Sequence, residues 1–429
     1  MKLTLLQPTS ERIKPLHGLC NGPLSAGGMT NLTEEYREIG VPAVRLHDTD
    51  WPYPPCVDVY QIFRDFSKDE NDPANYDFLL TDQYLAAIHA SGAEIVYRLG
   101  TSIEHIQNRR FVYAPQDNAK WARVAEKIIR HYNEGWADGY HYNIRFWEIW
   151  NEPEDLGGAR KNMWIGTQQQ FYAFYAAVSR HLKNTFGDAI LVGGYASSGF
   201  HEVLRGDRYL AIYFEEFLKY IRQNDCPLEF FSYHYYGNQP EVQHTIASFV
   251  RKTLDEAGYP QALILLDEWN ASYRTPQEFA DLRSMKGACF VGKMFCALQN
   301  TFVDLATYYD AQPHMKWCGL FNRDVVKQKP YFVFKAFGRL YRLGERVGLS
   351  VDDGPVAALA ASDGRTTGIF LINDGEEQTL SLSGREEMTV TVTVTDENDD
   401  ERVLAGLSSS SPILLPARSV IYMELTARI

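Results

Sequence analysis

Short apolar runs alternate with amphipathic stretches over the first three quarters of the chain. Each run has the composition of a buried parallel strand, and the stretches between the runs carry apolar residues at helical spacing. Strands that alternate with helices predict an α/β fold, and eight of them predict a (β/α)8 TIM barrel. The eight predicted strands are Ile13–Leu19, Ala43–His47, Glu94–Leu99, Ile144–Trp150, Ala189–Val192, Phe230–His234, Leu263–Leu266 and Leu305–Tyr309.

An open, doubly wound sheet is the alternative arrangement of the same elements. It would place a glycine-rich phosphate loop after a strand, and neither G-x-G-x-x-G nor G-x-x-x-x-G-K-[ST] occurs in the chain. The barrel is therefore the favoured fold. The predicted helices between its strands include Thr33–Ile39, Asp117–Glu134, Thr167–Phe186, Tyr209–Asn224, Glu241–Ala257, Pro276–Gln299 and Pro330–Leu343.

The pattern changes near residue 345. Short strand-like runs separated by turn residues follow, and Met388–Thr395 alternates with period two, as a half-buried antiparallel strand does. We predict a barrel over residues 13–344 and a C-terminal β-sandwich over residues 345–429. Residues 1–12 can add an N-terminal strand to this sandwich, at its edge.

Two of the predicted barrel strands are followed by a glutamate, two residues after the strand ends. Phe146–Asp155 reads F-W-E-I-W-N-E-P-E-D and delivers Glu152, whereas Leu263–Asn270 reads L-I-L-L-D-E-W-N and delivers Glu268. Catalytic groups of TIM barrels lie at the C-terminal ends of the strands. A single glutamate there is usually a cap or an ion-pair partner, but two on the fourth and seventh strands favour glycoside hydrolysis by paired carboxyl groups. We predict Glu152 as the acid/base and Glu268 as the nucleophile.

Neighbouring polar residues are predicted to support these two carboxyl groups. Asn151 can bind a sugar hydroxyl beside the reacting carbon, and Arg45 and Tyr236 can donate to Glu268 and keep it ionised. Strand alternation predicts that Asp267 points away from the side that Glu268 faces. Glu148 is expected in a buried ion pair inside the barrel.

Further candidates for binding the substrate lie near the strand ends. His47 and His234 either bind sugar hydroxyls or are core histidines. Aromatic side chains can stack on the apolar faces of sugars, and we expect about two of four candidates to do so. These four are Trp51, Trp269, Tyr273 and Trp317.

Three segments together resemble glycoside hydrolase family 39. They are E-I-W-N-E-P at Glu148–Pro153, S-Y-H-Y-Y at Ser232–Tyr236 and E-W-N-A-S-Y at Glu268–Tyr273. The resemblance implies a retaining mechanism with catalytic carboxylates on strands four and seven, and a β-sandwich beside the barrel. It also implies a hydrolase of the β-xylosidase or α-L-iduronidase type that degrades oligo- or polysaccharides.

The chain departs from the xylosidases of that family at two positions. Asp48 follows the second strand where those enzymes tend to have glycine, and Ala306–Asp310 carries no tryptophan on the eighth strand. A β-xylosidase remains the first expectation. The alternatives are a hydrolase for another glycone (an α-L-arabinofuranoside or a uronide), a transglycosylase, and a non-catalytic carbohydrate-binding protein.

Composition narrows the class of partner. A net charge of −13 argues against binding to nucleic acid or to anionic membrane surfaces. The chain has no run of about 18 apolar residues, so no membrane-spanning helix is predicted. The N-terminal apolar segment is too short for a secretory signal, which predicts a cytoplasmic protein, or a periplasmic or secreted one if a signal peptide has been removed. The oligomeric state is left open.

Neither a cofactor nor a metal ion is expected. No two histidines have ligand spacing, and the six cysteines contain no C-x-x-C motif. We expect these cysteines to be buried free thiols.

Overall fold

The computed structural model describes residues 1–49, 56–104, 108–154, 163–200, 206, 208–272, 274–352, 356–384 and 387–427. The strands within these ranges are β1 (Lys2–Arg12), β2 (Gly18–Cys20), β3 (Leu24–Ser25), β4 (Thr30–Asn31), β5 (Ala43–Arg45), β6 (Glu94–Leu99), β7 (Phe146–Ile149), β8 (Leu191–Ser197), β9 (Phe230–Tyr236), β10 (Leu263–Asn270), β11 (Leu305–Tyr308), β12 (Glu345–Val351), β13 (Val356–Ser362), β14 (Thr366–Asn373), β15 (Gln378–Ser383), β16 (Met388–Thr395), β17 (Arg402–Ser408), β18 (Ile413–Leu415) and β19 (Ser419–Ala427). The helices there are α1 (Thr33–Ile39), α2 (Val59–Ile62), α3 (Leu79–Ser91), α4 (Asn118–Glu134), α5 (Gln168–Phe186), α6 (Tyr209–Gln223), α7 (Gln243–Glu256), α8 (Pro276–Asp281), α9 (Met285–Gln299) and α10 (Lys329–Leu343).

Eight parallel strands of the described chain close into a barrel in the order β10-β11-β2-β5-β6-β7-β8-β9. These are the eight strands that the apolar runs predict, so the TIM-barrel prediction is confirmed. In this order β7 and β10 are separated by only two strands, β8 and β9. The C-terminal ends of β7 and β10 therefore open onto the same part of the barrel mouth.

The barrel interior is layered. Its lower layer is apolar and consists of Ala43, Val96, Phe146, Phe230, Leu265 and Leu305, with all six side chains buried. Two residues further along these strands, the inward positions become polar. They are occupied by Arg45, Arg98, Glu148, Ser232, Asp267 and Thr307, which are also buried. The polar side chains thus stand on an apolar floor and lead up to the mouth.

The helices around the barrel begin and end at residues suited to their positions. Thr167 and Gln170 form a capping box at the start of α5. Gly40 and Gly92 end α1 and α3 in the left-handed conformation, which glycine adopts without steric cost. The single helix predicted over Pro276–Gln299 is instead two helices, because Ser284 caps the start of α9 with a side-chain bond to the Lys286 amide.

Nine strands of the described residues form a second, mixed sheet in the order β17-β16-β19-β14-β13-β12-β1-β15-β18. Together with the barrel, this sheet confirms the prediction of a TIM barrel with a β-sandwich. One face packs against barrel helices, as the rings of Phe337 on α10 and Phe370 on β14 show at 5.6 Å. A separate apolar cluster, which includes Leu3, Val392 and Met423, fills the interior of the curled sheet.

Strand β1 was expected at the edge of the sandwich, and this expectation is wrong. It pairs antiparallel with β12 and parallel with β15, so it lies within the sheet. The apolar side chains Leu3 and Leu5 are buried on one face of the strand, which explains the interior position. The domain limits at residues 12/13 and 344/345 stay a prediction.

All six cysteines are buried and form no disulfide in the described chain. None of the helices there is both long and apolar enough to cross a membrane.

Candidate active site

Glu152 and Glu268 meet at the mouth of the barrel. Glu152 lies three residues beyond β7 and donates its amide to the carbonyl of Ala196, across 2.9 Å. Its backbone φ is 43°, in the left-handed region, so the chain turns sharply there. The Glu152 side chain is 32% exposed, whereas that of Glu268 is 7% exposed. One carboxylate is therefore open to the mouth and the other lies deeper.

His234 on β9 bridges the two carboxyl groups. Its Nδ1 atom lies 2.7 Å from Oε1 of Glu152 and 2.9 Å from Oε2 of Glu268. The three ligand atoms lie within 4.8 Å of one another, a spacing that a metal ion could also bridge. Because both contacts already have hydrogen-bond length, we assign Nδ1 as a donor shared by the two carboxyl groups.

Neighbouring charges set the protonation of His234 and Glu268. Burial alone would lower the pKa of His234, but the Glu268 carboxylate raises it well above its usual value. Burial would likewise raise the pKa of Glu268, yet the charge and hydrogen bond of His234 hold it well below its usual range. Glu268 is therefore an anion beside an imidazolium, which is the state that a nucleophilic carboxylate requires.

Strand β10 carries a bulge immediately before Glu268. Leu266 pairs with Tyr233 and Glu268 pairs with His234, so Asp267 is an extra residue on β10. Its displaced carbonyl accepts from Oγ1 of Thr307 at 2.5 Å. A bulge interrupts strand alternation and re-aims side chains.

The bulge overturns one expectation about Asp267. Its Oδ2 atom lies 2.7 Å from Nε of Arg45, and Nη1 of Arg45 lies 3.6 Å from Oε2 of Glu268. Adjacent residues of β10 therefore reach the same guanidinium. The prediction that Asp267 points away from the side of Glu268 is wrong, because alternation was applied across a position where the strand is not regular.

Arg45 is the centre of a buried ionic network. It contacts Oε2 of Glu148 at 2.8 Å, in agreement with the buried ion pair expected for that glutamate. Burial would raise the pKa of Glu148, but the Arg45 charge lowers it below its usual value. Burial and the Glu148 charge raise the pKa of Asp267 well above its usual value, with Arg45 opposing them. The two pKa values are thus driven apart, and Asp267 is the more readily protonated member of this pair.

Asn151 joins the network to the mouth. Its Oδ1 accepts from Nη2 of Arg45 at 2.8 Å, which fixes the orientation of the amide. Its Nδ2 has no hydrogen-bond partner among the described residues although the side chain is buried. An unused donor held in place beside Glu152 is suited to a hydroxyl of a bound sugar.

An aromatic wall stands beside Glu268. Tyr236 donates from its hydroxyl to Oε1 of Glu268 at 2.7 Å, and its ring lies 5.4 Å from that of the half-buried Trp317. Burial, followed by the Glu268 charge, raises the pKa of Tyr236 well above its usual value, so the phenol keeps its proton. Asn270 fixes the wall by donating to the Trp317 carbonyl across 3.0 Å.

The remaining sequence candidates have different positions. Trp269 is fully buried against Phe295 and Tyr308, so its predicted place in the substrate pocket is wrong: alternation after the bulge turns it toward the helices. His47 is 1% exposed, with Nε2 lying 3.6 Å from Asp48. Direct sugar contacts by the buried Arg45, His47 and His234 stay predictions. Trp51 and Tyr273 lie outside the described residues.

Sequence reasoning missed two positions in the site. Ser232 donates to Oε1 of Glu148 at 2.6 Å, and Thr307 holds the bulge. Period-two spacing within S-Y-H could have found Ser232, since it places the serine on the same face as His234. No local pattern marks Thr307, because the bulge that it supports depends on strand register.

The chain is similar to several solved structures over its whole length. A glucosidase from Croceicoccus marinus aligns with a TM-score of 0.82 and 24% identity, covering 100% of this chain and 99% of that chain. A monomeric β-xylosidase from Caulobacter crescentus aligns with a TM-score of 0.73 and 17% identity, covering 100% of both chains. At these identities the likeness shows the fold. No curated protein sequence matches the chain.

A family comparison identifies the chain directly. The model of "Glycosyl hydrolases family 39" matches residues 24–318, which include every described residue of the carboxylate network. The sequence motifs, the paired glutamates at the barrel mouth and this match agree with one another. The chain belongs to glycosyl hydrolases family 39, and it is a glycosidase that acts on a carbohydrate substrate.

Proposed function

We propose that the protein is a retaining glycoside hydrolase that works by double displacement. Glu268 is the nucleophile and Glu152 is the acid/base. The observation that carries the proposal is the single Nδ1 atom of His234 within hydrogen-bond distance of both carboxyl groups, whose ligand atoms lie within 4.8 Å of each other. Retaining enzymes separate their carboxyl groups by about 5–5.5 Å, whereas inverting enzymes need about 6.5–9.5 Å to admit water.

The environments of the two glutamates fit their separate tasks. Glu268 is ionised and buried, so it can attack the anomeric carbon without being heavily solvated. Glu152 is the more exposed of the two, so it can reach the departing oxygen and later a water molecule. In the first step Glu268 forms the bond to carbon while Glu152 gives its proton to the leaving oxygen. In the second step Glu152 takes a proton from water, which displaces Glu268.

Asn151 has a supporting task in this mechanism. Its free amide donor can bind the hydroxyl beside the anomeric carbon, a contact that strengthens as charge develops in the transition state. The bond to Arg45 holds that donor in place before the substrate arrives.

The proposed substrate is a β-xyloside at the non-reducing end of an oligo- or polysaccharide. Its support is the likeness to the β-xylosidase of Caulobacter crescentus. A glucoside is the second candidate, because the glucosidase of Croceicoccus marinus aligns with the higher TM-score. A non-catalytic binding protein fits less well, since both carboxyl groups are present and close together. A transglycosylase would use the same covalent chemistry with another acceptor.

The test uses nitrophenyl β-xyloside and β-glucoside with the wild type and three variants. Glu268→Gln should abolish turnover, and Glu152→Ala should lower it by about 10²–10⁴-fold, with partial rescue by azide. Glu377→Ala, at an exposed position of the sandwich, is the matched control and should keep full activity. Proton NMR during hydrolysis should show the β-anomer first. Release of the α-anomer first, or full activity of both site variants, would contradict the proposal.

A further inference from the structure

Asp48 is an acidic residue of the barrel mouth that the mechanism leaves unused. It lies three residues beyond the end of β5, with a backbone φ of 52°, a conformation uncommon for residues other than glycine. Its side chain is 12% exposed, so a small part of it reaches the mouth. Because this backbone conformation is unfavourable for an aspartate, contacts with neighbouring residues are needed to hold Asp48 in it.

One oxygen of Asp48 is anchored and the other is not. Oδ1 accepts from the amide of Ile103 at 2.7 Å and lies 3.6 Å from Nε2 of His47. Oδ2 has neither a hydrogen bond nor an ion pair in the described part of the chain. The anchored oxygen fixes the direction of the carboxyl group and leaves Oδ2 as an oriented acceptor.

A second brace fixes the backbone of Asp48 from the opposite side. The side-chain Nε2 of Gln312 donates to the backbone carbonyl of Asp48 at 3.1 Å. The backbone N–H of Gln312 donates to Oδ1 of Asp310 at 3.1 Å. Gln312 and Asp310 are both buried. Their hydrogen bonds link the segment that follows β11 to the segment that follows β5.

The reacting groups set the direction in which a sugar must lie. The leaving oxygen has to lie at Glu152 beyond β7, and the anomeric carbon at Glu268 on β10. The sugar ring then extends away from Glu152, toward the side of the mouth formed by β11, β2 and β5. Asp48 stands on that side, close enough to the nucleophile for the Glu268 charge to add to burial in raising the pKa of Asp48 to about 7.

We propose that Asp48 is a specificity-determining residue, whose Oδ2 accepts a hydrogen bond from a ring hydroxyl remote from the anomeric carbon of the glycone. The inference rests on the proposed function and refines its substrate class. The preferred substrate has a terminal sugar with free hydroxyls at C3 and C4, and the enzyme acts on chain ends. A substituent or a missing hydroxyl at the contacted carbon leaves Asp48 without its partner, and sites built for a hydroxyl reject such analogues strongly.

The test compares a parent glycoside with its 3-deoxy and 4-deoxy analogues. With nitrophenyl β-xyloside, the wild type should lose about 10²–10³-fold in kcat/KM for one of the two analogues. Asp48→Ala should lower kcat/KM for the parent glycoside by about 10–10²-fold. In this variant, kcat/KM for the parent and for that analogue should differ by less than about threefold. Unchanged discrimination by Asp48→Ala would overturn the inference.

Two further proteins keep the result interpretable. Asp48→Asn retains one carbonyl oxygen and should show intermediate discrimination. Asp225→Asn is the matched control, because Asp225 also has a positive φ, of 50°, but is exposed beyond α6 and away from the mouth. Its selectivity should equal that of the wild type.

A binding measurement separates this inference from the proposed function. Calorimetric titration of Glu268→Gln with the parent and deoxy glycosides needs no turnover. If the wild type hydrolyses none of these glycosides, the proposed function fails. The inference still stands if Asp48→Ala in the Glu268→Gln protein abolishes the difference in affinity, and it fails if that difference persists.

Discussion

His234 and Glu268 are direct register partners on β9 and β10, and Nδ1 of the histidine lies 2.9 Å from Oε2 of the glutamate. The bulge at Asp267 produces this pairing. Without the extra residue, the partner of His234 would be Asp267; with it, the partner is Glu268. The contact explains why a glutamate whose side chain is 7% exposed stays ionised.

Removal of His234 should move the acidic limb of the pH–activity profile to higher pH. The pKa of Glu268 is held low by this histidine, so without it the nucleophile accepts a proton more readily as the pH falls. His234→Gln should shift the limb of kcat/KM upward by about one unit or more, since one unit corresponds to about 1.4 kcal/mol of lost interaction. The matched control is His181→Gln, which removes a histidine bound to Glu126 away from the site. An unshifted limb in His234→Gln would refute the assigned role.

Asp267→Asn and Arg45→Met should differ strongly in stability. Burial raises the pKa of Asp267 well above its usual value, so an amide, which resembles the protonated acid, should change the free energy of unfolding by less than about 1 kcal/mol. Arg45→Met leaves Glu148 as a buried anion without a cation, which costs about 3–5 kcal/mol. Urea titration at pH 7 measures both changes. Equal losses would show that Asp267 is charged in the folded protein.

The two tryptophans at Trp269 and Trp317 should respond in opposite ways to replacement by alanine. Trp269 is fully buried against aromatic rings, so Trp269→Ala should cost about 3–5 kcal/mol of stability. Trp317 is half-buried beside Tyr236, so Trp317→Ala should raise KM with only a small loss of stability. Thermal melting and steady-state kinetics on both variants test this. A raised KM in a stable Trp269→Ala protein would restore the original prediction for that residue.

Glu38 should contribute to stability only above acidic pH. Burial alone would raise its pKa, but hydrogen bonds from Lys327, Lys335 and Tyr331 lower it to about 2. Because the folded-state pKa is lower than the unfolded value of 4.5, the stabilisation is complete above pH 4.5 and is lost as the pH falls toward 2. The difference in melting temperature between wild type and Glu38→Gln should therefore shrink between pH 6 and pH 2. A constant difference would mean that the carboxylate contributes through packing alone.

Local sequence signals located the barrel strands and both glutamates, because apolar runs and strand ends are properties of neighbouring residues. The same signals failed at Asp267 and Trp269, where a single inserted residue changes the facing of its neighbours. That bulge depends on Thr307, which lies on another strand. The contact between His234 and both glutamates likewise depends on the register of three strands. The sequence marks Asp48 as a departure from the family, but only the contact to Ile103 shows how its carboxyl group is directed, and only the contact to Gln312 shows how its backbone is held.

The interior position of β1 has a consequence for biosynthesis. Strand β1 is translated before its partners β12 and β15, which begin at residues 345 and 378. The backbone donors and acceptors of β1 therefore stay unpaired until most of the chain has been translated. The barrel strands, which lie between β1 and β12 in the sequence, can associate before then. During that interval an amphipathic N-terminal segment is exposed and free to pair with other polypeptides. Slow translation or a fusion at the amino terminus should therefore increase aggregation of the nascent chain more than it impairs the completed enzyme.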